Sequence, residues 1–286
     1  MSIAGVRLRL HPLFTLIMAA SVLTGYFTEL LTLFVIVVIH ELGHAACAVH
    51  LGWKVREIQL MPFGGVVVAE QAPMASALDE LRVALAGPLQ NIWMIGLALL
   101  FGHIGIWTPE WSDYFLKANL MLALFNLIPA LPLDGGKVMQ ALFSLWMPYY
   151  RSLQWSVHLS LGMSLFITAY ALFAPYGTGV QLNLLMIGLF LLYSNWMVLR
   201  HLPFQFMRFL MHRPYKVAEL LRRGVEAEPI VVSASAKLQD LLRQLKRDRH
   251  HIYIMRNSAG RTAAILPELR LISRYLESPA AAQPPS

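Results

Sequence analysis

Up to about residue 200, long apolar runs of the chain alternate with short polar connections. A run of about 18 or more apolar residues is long enough to cross a bilayer as a helix. The pattern predicts six such spans, at residues 12–28, 30–51, 81–105, 114–146, 154–174 and 181–200. The first two are close enough to form a membrane hairpin, which favours a retained first span over a cleaved signal peptide.

Lysine and arginine fall on one side of this predicted topology. Arg7 and Arg9 precede the first span, Lys54 and Arg56 follow the second, and a basic tail follows the sixth. The loops on the opposite side, "YFTEL", "IGIWTPEWSD" and "APYGTGVQ", contain neither residue type. Because basic loops remain in the cytoplasm, both termini are predicted to be cytoplasmic, in agreement with an even number of spans.

One further apolar segment, residues 57–73, is too short to span. Its sequence, "EIQLMPFGGVVVAEQAP", predicts a turn at Pro-Phe-Gly-Gly and then an extended strand along the valine run. Irregular backbone at membrane depth is tolerated only where protein buries it or a cavity contains it. The segment is therefore expected to lie against the functional site.

The pattern changes after about residue 204. A helix at "KVAELLRRG" and then strands and helices in the order β-α-β-β-α predict a small soluble module, and the Pro- and Ala-rich tail predicts disorder. The predicted fold class is an all-α polytopic membrane domain of six transmembrane helices with a small C-terminal α/β domain. The predicted boundaries are residues 1–203 for the membrane domain, 204–277 for the α/β domain and 278–286 for the tail.

The composition supports a membrane protein and argues against a nucleic-acid partner, an intrachain disulfide and a multi-cysteine metal site. Hydrophobic residues make up 57% of the chain and charged residues 14%, whereas a soluble domain carries about 25% charged residues. The net charge of +7 is explained by the cytoplasmic loops, so no nucleic-acid partner is expected. With Cys47 as its one cysteine, the chain has neither an intrachain disulfide nor a multi-cysteine metal site.

The motif His40-Glu41-Leu42-Gly43-His44 lies inside the second predicted span. On a helix, His40 and His44 lie on one face about one turn apart, so both imidazoles can bind one zinc ion. Glu41 stands beside them and can act as general base on a zinc-bound water. Three ionisable residues in an apolar helix are costly unless they are paired or bind a metal, which favours the metal site over a structural role.

A catalytic zinc ion needs a third protein ligand. Asp134 is the candidate, because Pro129 and Pro132 break the fourth predicted span just before it and allow its carboxylate to turn towards the second span. The alternative is that Asp134 only caps the helix that begins at Gly135.

Other polar residues in the spans have less specific interpretations. Asn126 is a candidate for binding the substrate backbone or a tetrahedral oxyanion, or it forms a hydrogen bond between helices. Gln90 and Asn91, in "AGPLQN", are expected to join helices, with Ala86 and Gly87 allowing a close approach.

Together, "HELGH", "MPFGG", "AGPLQNIW" and "NLIPALPLDGGK" resemble the site-2 intramembrane metalloproteases, with the sporulation branch of that family as the best match. The resemblance covers nearly the whole chain, and H-E-x-x-H paired with a distant L-D-G is a specific combination. It implies that His40, His44 and Asp134 bind Zn²⁺, that Glu41 is catalytic and that Asn126 is the motif asparagine.

The resemblance also implies partners and a location. A membrane-associated sigma factor precursor would be the substrate, held back by inhibitory membrane proteins, in the membrane that surrounds the forespore and facing the mother cell. The C-terminal module resembles a single cystathionine-beta-synthase (CBS) domain, which implies ATP binding and pairing between chains as a homo-oligomer. The alternative function is a zinc transporter or metal-sensing membrane protein, which would use the same ligands but has no need of Glu41.

Overall fold

The computed structural model describes residues 2–3, 6–10, 20–61, 64–70, 75–173, 181–257 and 261–278. The helices that it contains are α1 Phe27–His50, α2 Ala77–His103, α3 Pro109–Asn126, α4 Asp134–Trp146, α5 Tyr149–Phe173, α6 Leu182–Arg222, α7 Leu238–Leu242 and α8 Glu268–Leu276. Its strands are β1 Ser2–Ile3, β2 Val6–Leu10, β3 Lys54–Met61, β4 Gly64–Glu70, β5 Glu228–Ser233, β6 His251–Arg256 and β7 Thr262–Pro267.

Four of the described helices, α1, α2, α5 and α6, are long and apolar enough to cross a membrane. Of the predicted first span, residues 12–28, positions 12–19 lie outside the described residues, and the remainder comprises a helical stretch at 20–24, a turn and the start of α1. The predicted fourth span, residues 114–146, comprises two helices, α3 and α4, separated by residues 127–133. Neither helix meets both requirements for a span by itself. Helix α3 carries Glu110, Asp113 and Lys117 within its 18 residues, and α4 has only 13 residues.

The chain divides into two compact units, of which the first comprises Met1–Ala72, Asp79–Ile128 and Leu133–Val138. This unit contains a four-stranded sheet in the order β1-β2-β3-β4, in which β2 and β3 are parallel and β3 and β4 form an antiparallel hairpin. Helix α1 contacts β3 and β4, and Ala45 of α1 lies in a small apolar cluster with Val55 of β3.

The sheet corrects the prediction of an all-α membrane domain. The strand predicted from the valine run is present as β4, but β1, β2 and β3 were not expected from the pattern. Strand β2 has only 5 residues, "VRLRL", and its two arginines resemble the basic flank of a membrane span. Its parallel pairing with β3, about fifty positions away, leaves no local signal in the sequence.

The second unit comprises Pro73–Leu78, Pro129–Pro132 and Met139–Ser286. Helices α5 and α6 pack along each other, and their buried residues share one apolar core with Tyr253 of β6 and Leu271 of α8. The elements β5-α7-β6-β7-α8 follow the predicted β-α-β-β-α order. The helix predicted at "KVAELLRRG" is present as the end of α6, whose 41 residues run unbroken through the predicted boundary at 203/204.

Candidate active site

Helix α1 brings three ionisable side chains into the interior of the first unit. His40, Glu41 and His44 are 1%, 7% and 4% exposed, although the same helix has exposed apolar residues such as Leu42 and Val49 on other faces. The two histidines are four residues apart, so one turn of helix places both rings on the buried face.

Asp134 is the first residue of α4 and is also buried. Its Oδ2 lies 3.0 Å from His40 Nε2 and 2.9 Å from His44 Nε2, and the two Nε2 atoms lie 3.3 Å apart. The structure thus brings together the three predicted metal ligands. The interpretation of Asp134 as only a helix cap is not favoured, because its carboxylate is directed at the two imidazoles.

The tautomer of His44 follows from its other ring nitrogen. Its Nδ1 lies 2.7 Å from the backbone carbonyl oxygen of Val83. A carbonyl oxygen can only accept, so Nδ1 must donate and, in the neutral ring, Nε2 is left with a free lone pair.

The tautomer of His40 is set by a chain of three hydrogen bonds. Asn119 Nδ2 donates to the carbonyl oxygen of Phe115 at 2.9 Å, so Asn119 Oδ1 must be the atom that accepts from Asn91 Nδ2 at 3.1 Å. Asn91 Oδ1 then accepts from His40 Nδ1 at 2.6 Å. The orientation of both amides is therefore decided by one backbone carbonyl, and Nε2 of the neutral His40 ring also carries a lone pair.

Three lone-pair atoms, from two imidazoles and one carboxylate, consequently face a common point. Without a cation or a proton between them they would repel each other. Ligand atoms about 2.0–2.1 Å from a tetrahedral zinc ion lie about 3.3 Å from each other, close to the 2.9–3.3 Å separations observed. The donor set and its spacing fit Zn²⁺, with a fourth position left for water or substrate.

Two glycines allow the helices that carry this site to approach each other. A Cβ atom at Gly87 of α2 would lie 2.2 Å from His44 Nε2 and 2.7 Å from His40 Nε2. A Cβ atom at Gly43 of α1 would lie 2.4 Å from Gln90 Cγ and 2.7 Å from the carbonyl oxygen of Ala86. The prediction that "AGPLQN" permits a close approach thus extends to the metal site itself, because the space beside Gly87 holds the imidazoles.

The remaining predicted residues have distinct environments. Glu41 forms no hydrogen bond or ion pair within the part of the chain that the structure describes, so its carboxylate remains available for proton transfer. Lys137 donates to the outer oxygen of Asp134, Oδ1, at 3.0 Å. Asn126 is half-buried at the end of α3 and forms no hydrogen bond with any described residue.

Comparison with known proteins supplies the family. The sequence model of peptidase family M50 matches residues 28–107, which include the H-E-x-x-H motif. Stage IV sporulation protein FB of Bacillus subtilis is 32% identical over 269 residues, covering 94% of the chain and 91% of that protein. The chain belongs to peptidase family M50, the site-2 proteases.

The fold of this M50 peptidase agrees with a solved relative. The Site-2 Protease from Methanocaldococcus jannaschii superimposes with a TM-score of 0.54 at 29% identity, covering 69% of the chain and 92% of that structure. Zinc metalloprotease MJ0392 of the same organism is 32% identical over 203 residues, covering 67% of the chain and 57% of that protein.

Family, fold and apolar helices agree on the general function. This M50 peptidase is an integral membrane protein and an intramembrane metalloprotease. Its membership of a peptidase family favours the enzyme over the zinc transporter that the ligands alone allowed.

Sequence reasoning underestimated Asn91, which contacts a predicted ligand, and gave no role to Val83 and Asn119. A signal for Asn91 was present: it lies four residues after Gly87, one turn further along the same helix face. Nothing local indicates Val83 or Asn119, because their partners lie 39 and 28 residues away in the chain.

Proposed function

We propose that this M50 peptidase releases a sigma factor from a membrane-associated precursor, with His40, His44 and Asp134 as zinc ligands and Glu41 as the general base. The observation that carries the proposal is the convergence of the three ligand atoms beside the buried carboxylate of Glu41, which has no hydrogen bond or ion pair with any described residue. Similarity to a sporulation protein over 94% of the chain supports this class of substrate.

The chemistry divides between the ion and the protein. Zinc, when bound, lowers the pKa of a coordinated water to about 7 and polarises carbonyl groups. Glu41 accepts a proton from the attacking water and returns it to the leaving amine. Asn91 and Val83 hold the imidazoles so that both Nε2 atoms face the ion. Asn126 is proposed to bind the substrate backbone or the developing oxyanion, since its amide has no described partner.

The sheet of the first unit offers a way to present the substrate. Strand β4 stands at the edge of the described sheet and pairs there with β3 alone. An extended segment can add to such an edge through backbone hydrogen bonds, and an extended peptide exposes its scissile bond better than a helix does. Because α1 contacts β4, a peptide added to this edge would run near the helix that carries His40 and His44.

The C-terminal residues 204–277 are proposed to act as a CBS-like regulatory module that binds ATP and pairs between chains. Several basic residues of this module already have partners: Arg243 lies over the ring of Tyr150, and Arg247 is buried and donates to the carbonyl oxygen of Ala75. Lys246 donates to Glu228 and holds the pKa of that carboxyl below its usual range. Exposed Lys237, Arg249 and Arg261 are the remaining candidates for phosphate contacts.

The proposed topology retains six spans with both termini in the cytoplasm, in the membrane around the forespore. Inhibitory membrane proteins are proposed to hold the enzyme back. The basic residues that follow the second predicted span and the sixth support this orientation.

The test is co-expression of the full chain with a membrane-tethered sigma factor precursor, together with zinc analysis of each purified protein. Glu41→Gln is expected to abolish cleavage and retain zinc, because it removes the base but no ligand. Asp134→Asn is expected to lose both. Glu29→Gln, a carboxylate at the start of the same helix, is the matched control and should cleave normally.

Cleavage by Glu41→Gln would remove Glu41 as the base, and full zinc content in Asp134→Asn would remove Asp134 as a ligand. Zinc without cleavage of any such precursor by the wild type would leave the site intact and reject the substrate class. Repeating the assay with millimolar ATP tests the regulatory module, and unchanged cleavage and thermal stability would reject nucleotide regulation.

A further inference from the structure

The short segment between α3 and α4 is held at Leu131 by side chains from two other helices. The Leu131 N–H donates to Ser160 Oγ of α5 at 2.9 Å. The Leu131 carbonyl oxygen accepts from Asn195 Nδ2 of α6 at 2.6 Å. Leu131 is itself 8% exposed, so both of its backbone polar groups are satisfied by buried side chains and not by water.

Ser160 belongs to a row of buried hydroxyls along α5, and like Ser164, which accepts from Asn195 Nδ2 at 3.3 Å, it forms a bond outside its own helix. The row consists of Ser152, Ser156, Ser160, Ser164 and Thr168. Among the described residues, Ser156 uses its hydroxyl only within its own helix, donating to the carbonyl of Ser152. Ser160 donates in the same way to the carbonyl of Ser156 and in addition accepts the Leu131 N–H. Helix packing explains the bond within α5, but it does not explain the bond from the Leu131 N–H to Ser160 Oγ.

The amide of Asn195 is oriented by the same segment. Its Nδ2 donates to the carbonyl oxygens of Leu131 and, within its own helix, Leu191. Both oxygens can only accept, so the amide nitrogen must face them. As a result, Oδ1 is buried with no hydrogen-bond partner in the described part of the chain. The side chain satisfies Leu131 while its own acceptor remains unpaired.

The backbone is also constrained at Gly135, the residue directly after Asp134. A Cβ atom at Gly135 would lie 2.2 Å from the carbonyl oxygen of Leu127 and 2.4 Å from that of Ile128. The chain therefore doubles back tightly against its own preceding turn. Between this contact and the bonds at Leu131 lie only Pro132, Leu133 and Asp134, so little backbone freedom remains for the residue that carries the carboxylate.

We propose that Ser160 and Asn195 are positioning residues for the metal site. By holding both polar groups of the Leu131 peptide, they fix the chain that presents Asp134 and so raise the affinity of the site for zinc. This inference rests on the proposed role of Asp134 as a zinc ligand. Neither side chain touches the site, and each acts through the backbone.

The test measures zinc affinity of the purified full chain by competition with a chelator of known affinity. The variants are Ser160→Ala, Ser160→Thr, Asn195→Leu and the matched control Ser156→Ala. Partners that orient metal ligands typically change metal affinity by about 10- to 100-fold when removed. Because these residues act through the backbone of residues 131–133 and not on a ligand directly, Ser160→Ala is expected to weaken zinc binding by about tenfold, the lower end of that range.

Ser156→Ala should bind zinc as the wild type does, because the Ser156 hydroxyl has no hydrogen bond to a described residue outside its own helix. Ser160→Thr should also retain affinity, since it keeps the hydroxyl and a threonine already occupies position 168 of the same row. Thermal unfolding of the zinc-free proteins serves as a separate readout, in which Ser156→Ala and Ser160→Ala are expected to be alike.

The outcomes separate this inference from the proposed function. A wild type without zinc would reject the proposed ligands themselves. A wild type that binds zinc, with unchanged affinity in Ser160→Ala, would overturn the positioning role alone. An equal loss in Ser156→Ala would overturn it too, because helix packing would then explain the effect. If Asn195→Leu does not fold, Ser160→Ala and its two companions still decide the question.

Discussion

At the scale of single residues, the geometry of the proposed zinc site depends on Gly87 having no side chain. Gly87 faces both imidazoles, and the volume that a methyl group would occupy there is filled by the two Nε2 atoms and a ring carbon. The same face of α2 continues with Asn91, which orients His40. One helical turn therefore supplies both the space for the ligands and the hydrogen bond that sets one of their tautomers.

Gly87→Ala is expected to abolish zinc binding and cleavage. Its Cβ atom would lie about 2 Å from a ligand nitrogen, so the imidazoles would have to leave the positions in which they converge on Asp134. Gly96→Ala lies in the same helix with nothing within 4 Å of the added atom, and should retain zinc with a slight gain in stability. Normal zinc content in Gly87→Ala, measured on the purified protein, would contradict the observed packing.

At the scale of elements, α5 and α6 are joined by a row of small polar residues in addition to the apolar core that the two helices share. Lipid tails are as apolar as leucine, so helices in a bilayer associate through close packing and hydrogen bonds and not through the hydrophobic effect. The hydroxyl row of α5 fits this requirement, because each hydroxyl is satisfied within the helix and presents little bulk. Gly188 of α6 meets this row at Thr168, where a Cβ atom would lie 2.5 Å from Oγ1 and 3.0 Å from the backbone nitrogen.

Gly188→Ala is expected to force α5 and α6 apart locally and to destabilise the protein by about 1 to 3 kcal/mol, the usual cost of overpacking. The backbone atoms of Thr168 cannot move aside as a flexible side chain could. Gly162→Ala, on an exposed position of α5 with nothing within 4 Å, is the matched control. Thermal unfolding in detergent measures the difference, and equal stability of the two variants would show that the helices are not in close contact at Gly188.

At the scale of the whole molecule, α6 connects membrane-embedded chain to the C-terminal module. At about 1.5 Å per residue its length is about twice the thickness of the hydrocarbon core. Its extension carries Arg213, which is fully buried and binds both carboxylate oxygens of Glu268 in α8. The same guanidinium donates to the carbonyl oxygens of Arg247 and Arg249, and His251 Nδ1 contacts Glu268 at 3.2 Å.

Arg213→Met is expected to destabilise the C-terminal part of the second unit by about 3 to 5 kcal/mol, because it leaves the Glu268 carboxylate buried without its cation. Combining it with Glu268→Gln should recover part of that loss, since no uncompensated charge then remains. Arg208→Met, at an exposed position of the same helix, is the control. Chemical unfolding of each variant, followed by limited proteolysis, would measure the loss of stability. An equal loss in Arg213→Met and Arg208→Met would refute the stabilising role of the buried Arg213–Glu268 pair.

The amino-acid sequence by itself determines the membrane character of the chain and places His40, Glu41 and His44 of the proposed metal site together on one helix. The length of an apolar run and the spacing of His40, Glu41 and His44 are local properties of the sequence. Helical geometry then places the two histidines on one face of the helix. Asp134 is predictable as the third ligand because Pro129 and Pro132 break the apolar run just before it and no other carboxylate is comparably buried by sequence. The order of strands and helices in the C-terminal module follows from local periodicity in the same way.

Only the tertiary structure shows the contacts between residues that are distant in the sequence. The sheet joins the N-terminal strands to residues about fifty positions later, Asn119 acts on His40 through Asn91, and Ser160 and Asn195 hold the segment before Asp134. Each of these depends on which buried donor meets which buried acceptor after packing, because a polar group removed from water must find its partner wherever the fold places one. That pairing is a property of the packed chain and not of any single stretch of it.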